Sequence, residues 1–222
     1  MNLSGKNVFS LVLVAAALAG MMILAGCSDD DDPVVVPDPD PSIGPESPDE
    51  LVAQFQTVYE SMDVEKYVAL LDPGFLMYLQ EETIINFPDV GTTLDFAEEE
   101  RIHQRMFSRE NLTDPNGSFV PGVQTITFNV FKALAAWSLS DDVDRFPDTV
   151  WTSFEVEILF GRGQQYWTSK VTGMVKIFAR PHTLMADGEE KTTYLMAGMV
   201  DFTSYGKVGE DSSWGIVKAL YR

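Results

Sequence analysis

The chain is 222 residues long and carries 34 Asp plus Glu against 15 Lys plus Arg, a formal charge of −19. That balance excludes a broad basic surface for nucleic acid or for anionic lipid. A single cysteine excludes an intramolecular disulfide, and the residues beyond 49 are numerous enough for one domain with a substantial core.

Lys6 precedes a mostly apolar run over residues 8–24 that closes on Leu24, Ala25, Gly26 and Cys27. A charged start, an apolar stretch and a small-residue end form the pattern of a secretory signal. Those last four residues resemble the lipobox of bacterial lipoproteins, and the chain's one cysteine occupies the required place. The resemblance implies a signal peptide over residues 1–26, cut between Gly26 and Cys27, with acyl chains on Cys27 as the membrane partner. The alternatives are an ordinary signal or a spanning helix with an incidental cysteine. Against the second, the run is near the short end for a span, and no Lys or Arg cluster follows it. Each buried acyl methylene contributes about 0.8 kcal/mol, so two or three chains hold a protein to a bilayer.

Residues 28–48 are rich in Pro, Asp and Ser and have no hydrophobic period. Like charges repel and proline favours extension, so residues 27–48 read as an acylated cysteine followed by a stiffened acidic tether. At about 3.1 Å per residue the tether reaches on the order of 60 Å. Ser28 differs from the aspartate that resembles an inner-membrane retention signal. The reading is therefore a lipid-anchored protein of the bacterial cell envelope, the outer membrane favoured over the inner, with its face undetermined.

The domain occupies residues 49–222, and from Leu51 onward it holds 25 acidic and 14 basic residues, a balance of −11. Leu51, Phe55, Val58 and Met62 mark one apolar stripe, so a helix is predicted after Pro48 and Asp49. Asp63 can cap a second helix carrying Val64, Tyr67, Val68 and Leu71. Asp72, Pro73 and Gly74 stop it, and residues 75–79 have strand composition. Residues 80–91 read as irregular. Thr92 or Thr93 is expected to cap a third helix, with Leu94, Ala97, Ile102, Met106 and Phe107 inside and residues 98–100 facing water. Beyond residue 121 the period becomes two. Strands are predicted around Ile126 to Val130, Phe154 to Phe160, Val171 to Ile177, Tyr194 to Phe202, and Trp214 to Leu220. Alternation loses phase at residues 131–137, the mark of a bulge or sharp bend. Helices followed by long antiparallel strands indicate an α+β fold, a sheet with one dry face.

The order of these elements resembles the nuclear transport factor 2-like, or cystatin-like, fold. Phe55, Tyr59, Asp63, Tyr67, Leu70, Leu71 and Phe75 carry the likeness, together with a closing strand at residues 214–217. The resemblance covers roughly residues 49–222 and implies a curved antiparallel sheet wrapped around the first helix as a cone. Members include ketosteroid isomerase, limonene epoxide hydrolase and SnoaL-like cyclases, beside many non-catalytic binding and dimerising domains. Counted from Asp63, the oxyanion-hole tyrosine of the isomerase falls on Phe55 and its general-base aspartate near Leu79. Neither side chain can do that work.

No nucleophile elbow, metalloprotease pair, phosphate loop or dinucleotide fingerprint occurs, so no cofactor and no catalytic residue is assigned. His103 lies four residues after Glu99 and reads as a helix-surface ion pair rather than a metal corner. His182, after Pro181, reads as solvated, and Asp141, Asp142 and Asp144 as a turn. Phe55, Tyr59, Tyr78, Phe128, Phe154, Val156 and Tyr194 are the candidates to line a pocket for a small molecule of unknown identity. Phe160 and Phe202 are expected in the same core. Trp137, Trp151 and Trp167 are expected on the opposite face, which would suit a homodimer through the sheet. The function so read is membrane-anchored, non-catalytic binding of a ligand or partner. The alternatives are a pocket enzyme of the SnoaL or isomerase kind and a structural envelope protein.

Overall fold

The structure, a computed structural model, describes residues 44–222 except 115, 116, 141, 143, 144, 167, 187 and 205–212. The signal segment, Gly26, Cys27, most of the tether, Asp141, Asp144 and Trp167 lie outside the described residues. Among the described residues no helix is long and apolar enough to cross a membrane.

Ser47 begins the first helix, α1 (Pro48–Ser61), by accepting the Glu50 N–H on its hydroxyl at 3.1 Å. Proline at the first helical position and two acids in the first turn suit the exposed donors and the helix dipole. The helix ends where Met62 enters the left-handed region at φ 57°. Asp63 then caps α2 (Val64–Ala69) by accepting from Lys66 N at 3.1 Å. The helix stops at Ala69, before the predicted end, and Leu71 is not part of it. Instead β1 (Leu71–Tyr78) already includes Asp72, Pro73 and Gly74, with a register irregularity between Leu71 and Leu76 and with Leu71, Phe75 and Met77 on the buried side.

The segment read as irregular contains a short helix, α3 (Glu81–Asn86), and a 3-10 turn (Pro88–Val90). Thr93 is not a helix cap; it opens β2 (Thr93–Asp95), and Asp95 caps α4 (Phe96–Phe107) by accepting from Glu98 N. Two brief strands, β3 (Leu112–Thr113) and β4 (Phe119–Val120), pair with each other. Then come β5 (Thr125–Ala133), β6 (Ser138–Leu139), β7 (Val150–Gly161), β8 (Ser169–Ala186) and β9 (Glu189–Ser204).

The main sheet runs β2-β1-β9-β8-β7-β5, with β6 continuing along β7. Only β1 and β9 run parallel; the remaining pairs are antiparallel. The expected α+β class therefore holds: the curved sheet carries α1 on its concave side, where Phe55 is fully buried against rings from β5. Along β7 the predicted alternation is followed, with Phe154, Val156, Ile158 and Phe160 all buried. Each contributes about 1.5–3 kcal/mol by leaving water.

Two bulges redirect the expected phases. One sits at Asn129, where Phe128 pairs with Ile158 but Val130 with Glu157, slightly ahead of the irregularity read at residues 131–137. The other sits at Ala197, where Phe178 pairs with Gly198 and Ala179 with Met196. An extra residue shifts every later side chain to the other face. Met199, Asp201 and Thr203 therefore turn inward, and Phe202 is 51% exposed instead of lying in the core.

The last predicted strand is a helix, α5 (Trp214–Leu220), capped by Ser213, whose hydroxyl accepts from Ile216 N at 3.1 Å. It is buried on nearly every side. A short apolar run bounded by polar residues fits a buried helix as well as a buried strand, and periodicity alone does not separate them. At Gly215 a Cβ would stand 2.8 Å from Thr83 Oγ1 and 3.2 Å from an Asp201 oxygen, so glycine lets the helix settle closely.

On the convex face a second, smaller cluster forms around Phe146, Phe178 and Ala197. The Phe146 ring, from the segment before β7, stacks on Phe178 at 3.9 Å and 19°. It fits because position 198 is glycine; a Cβ there would collide with the ring. Trp151 is on this face, under Lys176 Nζ at 3.6 Å. Trp137 is not: it packs against the main core and donates its indole N–H to Asp49.

Candidate functional site

The pocket candidates separate by face. Phe55, Tyr59, Phe128, Phe154 and Val156 belong to the main core, and Tyr194 packs partly buried against it. Tyr78 points the other way, its ring 5.8 Å from Phe146 and beneath the Arg145 guanidinium at 4.8 Å. Strand alternation explains this, since Met77 and Leu79 take the inward positions on either side of it. Phe55, expected from the resemblance to stand where the isomerase has its oxyanion tyrosine, is ringed by Tyr59, Tyr67, Phe128, Phe131 and Trp214 at centroid distances of 5.2 to 6.3 Å. The concave centre is occupied by aromatic rings.

Within those rings lies a polar cluster that hydropathy does not reveal. The four-residue spacing of Glu99 and His103 predicts a helix-surface pair, but both are 0% exposed. They share the inward stripe of α4 with Ile102 and Met106, whereas Ala97, expected inside, is exposed. Spacings of three, four and seven place all four inward residues on one face.

Lys218, from α5, is 1% exposed and donates to Glu99 Oε1 at 2.7 Å, to Oε2 at 2.8 Å and to Met77 Sδ at 3.1 Å. The Tyr67 hydroxyl donates to Glu99 Oε2 at 2.9 Å. His103 Nδ1 is 2.7 Å from the Glu99 carbonyl, which can only accept, so Nδ1 carries the proton. Nε2 then accepts from the Tyr59 hydroxyl at 3.0 Å, and that oxygen accepts from the Trp214 indole N–H at 3.0 Å. The line of bonds joins α1, α2, α4, β1 and α5.

Electrostatics follow from the burial. Desolvation, with the Lys218 charge adding to it, holds the His103 pKa well below the ordinary imidazole value, so the ring is neutral. Desolvation pushes both phenols well above the usual tyrosine range, and nearby Glu99 reinforces it. Asp201, turned inward by the bulge, is 2% exposed, and burial raises its pKa. Its Oδ1 accepts from Thr203 N at 2.9 Å and from Thr203 Oγ1 at 2.5 Å; Oδ2 accepts from Gly215 N at 2.9 Å. This carboxylate ties β9 to the start of α5. It is the inward acid that the expected β9 phase had hidden.

Chemically, the cluster holds an acid, an imidazole and two phenols within bonding reach of one another. A general base needs a valence that a substrate can reach. Here both imidazole nitrogens and both Glu99 oxygens are engaged by the chain itself. Among the described residues no group of three or more His, Cys, Asp or Glu is placed to hold a metal. His182 is exposed within β8 and far along the strand from this centre.

No protein-family model matches the chain, and no curated protein matches it. Among solved structures it is similar to the β subunit of benzoate 1,2-dioxygenase from Burkholderia mallei, with 10% identity, 68% of this chain and 85% of that one covered, and a TM-score of 0.44. It is similar to AusH from Aspergillus nidulans, with 11% identity, coverage of 73% and 89%, and a TM-score of 0.41. It is also similar to an NTF2-like protein from Cytophaga hutchinsonii, with 12% identity, coverage of 68% and 90%, and a TM-score of 0.37.

Proposed function

We propose that this chain is a lipid-anchored protein of the bacterial cell envelope whose nuclear transport factor 2-like cone works by binding a ligand or partner, without catalysis. One observation carries the second half of that reading. The groups that could act as acid and base are buried and already bonded to each other through Glu99, Lys218, His103, Tyr59 and Tyr67. A network in which each member has its partner stiffens a core and fixes one arrangement of the surrounding helices. Support for the anchor comes from the order of residues 6–27 and the acidic tether after them.

Diethyl pyrocarbonate tests the sealed centre. His182, exposed, is expected to react, while His103 stays unmodified in the folded protein. Modification of His103 at a comparable rate would end the non-catalytic reading. It would favour the rival one, a small-molecule pocket enzyme, which the gathering of acid, imidazole and phenols in one core supports. For the anchor, Cys27→Ala is expected to leave the membrane fraction and to lose acyl label. Unchanged fractionation and labelling would refute lipidation.

A further inference from the structure

The arginines that pair with carboxylates reach solvent: Arg101 and Arg222 with Glu98, Arg145 with Asp142, and Arg180 with Asp72. Arg162 differs on both counts. It is 4% exposed, the one buried arginine among the described residues, and no carboxylate there pairs with it. It directly follows the end of β7 and bonds to the first residue of the buried segment 121–123. Nη1 donates to the Pro121 carbonyl at 2.6 Å and to the Tyr221 hydroxyl at 2.6 Å. The Tyr221 hydroxyl donates on to the same carbonyl at 3.0 Å, and its ring centre lies 5.6 Å from the guanidinium carbon.

A guanidinium has five N–H donors, and these bonds use only those of Nη1. The Nε–Nη2 edge has no acceptor among the described residues. That edge is the planar fork that takes both oxygens of a carboxylate in parallel bonds. A cation held this deeply, with no counter-charge among the described residues, carries a heavy desolvation penalty, so the edge is where an anion gains most.

The surroundings narrow the class of anion. Phe119 is 58% and Tyr166 37% exposed, and their rings stand 6.0 Å apart. Phe119 precedes Pro121 by two residues, and Tyr166 lies in the turn after Arg162, closed by its N–H to the Gly163 carbonyl at 3.3 Å. Those are the two segments that Arg162 itself joins, tied again by Gln124 N to the Gly161 carbonyl at 2.7 Å. The pair offers an apolar rim suited to an organic body. The domain's −11 balance disfavours a multiply charged anion.

We propose that the Nε–Nη2 edge of Arg162 binds a small organic carboxylate whose apolar part lies against Phe119 and Tyr166. This site is separate from the Glu99–Lys218 centre and goes beyond the binding reading above. It stands whether or not Cys27 is acylated.

The test uses the whole chain with phenylacetate as probe, 2-phenylethanol as its uncharged counterpart, and inorganic phosphate. Phenylacetate is expected to raise the unfolding temperature saturably and to give a calorimetric isotherm. The alcohol is expected to do neither, and phosphate to bind more weakly. Arg162→Met, which removes charge-assisted bonds, is expected to lose roughly tenfold or more in affinity. Should that variant fail to fold, the surface double variant Phe119→Ala/Tyr166→Ala serves instead. It is expected to keep its unliganded stability and to bind phenylacetate several-fold more weakly. Equal effects of acid and alcohol, phosphate binding as tightly as phenylacetate, no response in the unmodified chain, or undiminished binding in the variants would each overturn the assignment.

Discussion

The two faces of the sheet solve the problem of burial in opposite ways. On the concave side α1, α2, α4 and α5 press a charged pair and two phenols into a nest of rings. On the convex side a loop aromatic, Phe146, lies flat on Phe178 over a glycine, with no buried charge in the stack. The first arrangement depends on partners and fails if one is removed. The second depends on shape and fails by degrees. Stability on one face is thus conditional, and on the other additive.

The sharpest way to expose that contrast is to strand a charge. Lys218→Ala leaves Glu99 buried without its partner and is expected to cost about 3–5 kcal/mol in urea unfolding. Glu99→Leu with Lys218→Met removes the pair together and is expected to be near neutral, or stabilising by about 1–4 kcal/mol. If the double variant is as damaged as the single one, the concave cluster is not conditional in this sense.

On the other face, Phe146→Ala is expected to cost about 3 kcal/mol, the low end for a buried phenylalanine, because a loop can settle into part of the space. Its fluorescence signature should come from Trp151 on the same face, while the Trp214 environment stays unchanged. A loss shared by both indoles would mean that the faces are coupled.

The smallest expected effect is the dependence on acidity. The groups facing His103 are Glu99 on its own helix, Tyr59 on α1, Tyr67 on α2 and Lys218 on α5. The folded state holds the His103 pKa below its unfolded value of about 6.5, so the unfolded chain takes up the extra proton. Stability from this residue is complete above about pH 6.5 and falls as the pH drops through the window below it. The slope is at most about 1.4 kcal/mol per pH unit. Asp201 has the opposite sign, since its folded pKa is raised: the stability it costs is regained as the pH falls toward its unfolded carboxylate value. His103→Gln should flatten the curve between about pH 6.5 and 5. An unchanged slope there would show that His103 is not the group responsible.

Much of the frame could be read from residue order, and the misreadings have a common cause. Both α1 and β7 follow their periods because nothing interrupts them, whereas α2 ends at Ala69 and Leu71, predicted as its last apolar position, opens β1. In β9 one inserted residue at Ala197 reverses the pattern, and the reversal hides Asp201 while exposing Phe202. The Trp214 to Leu220 run is too short for period to decide between strand and helix. The run of acids at residues 98–100 points Glu99 to water, because a pattern of polar and apolar residues cannot know that a lysine 119 positions later supplies its counter-charge. The spacing of Glu99 and His103 with Ile102 and Met106 was the available clue. For Arg162 and Tyr221 no local pattern exists, since their meeting depends on how three distant segments close.

The parallel pairing of β1 with β9 has a consequence in time. Leu71 meets Met196, and the cluster on α4 is completed only by Lys218. At about 5–20 residues per second, a ribosome adds the later residues several seconds or more after the earlier ones. During that interval the emerging chain can form its local helices but cannot shut its interior, and closing so long a loop slows the final step. The nascent polypeptide therefore stays open and threadable until the segment carrying Lys218 has emerged.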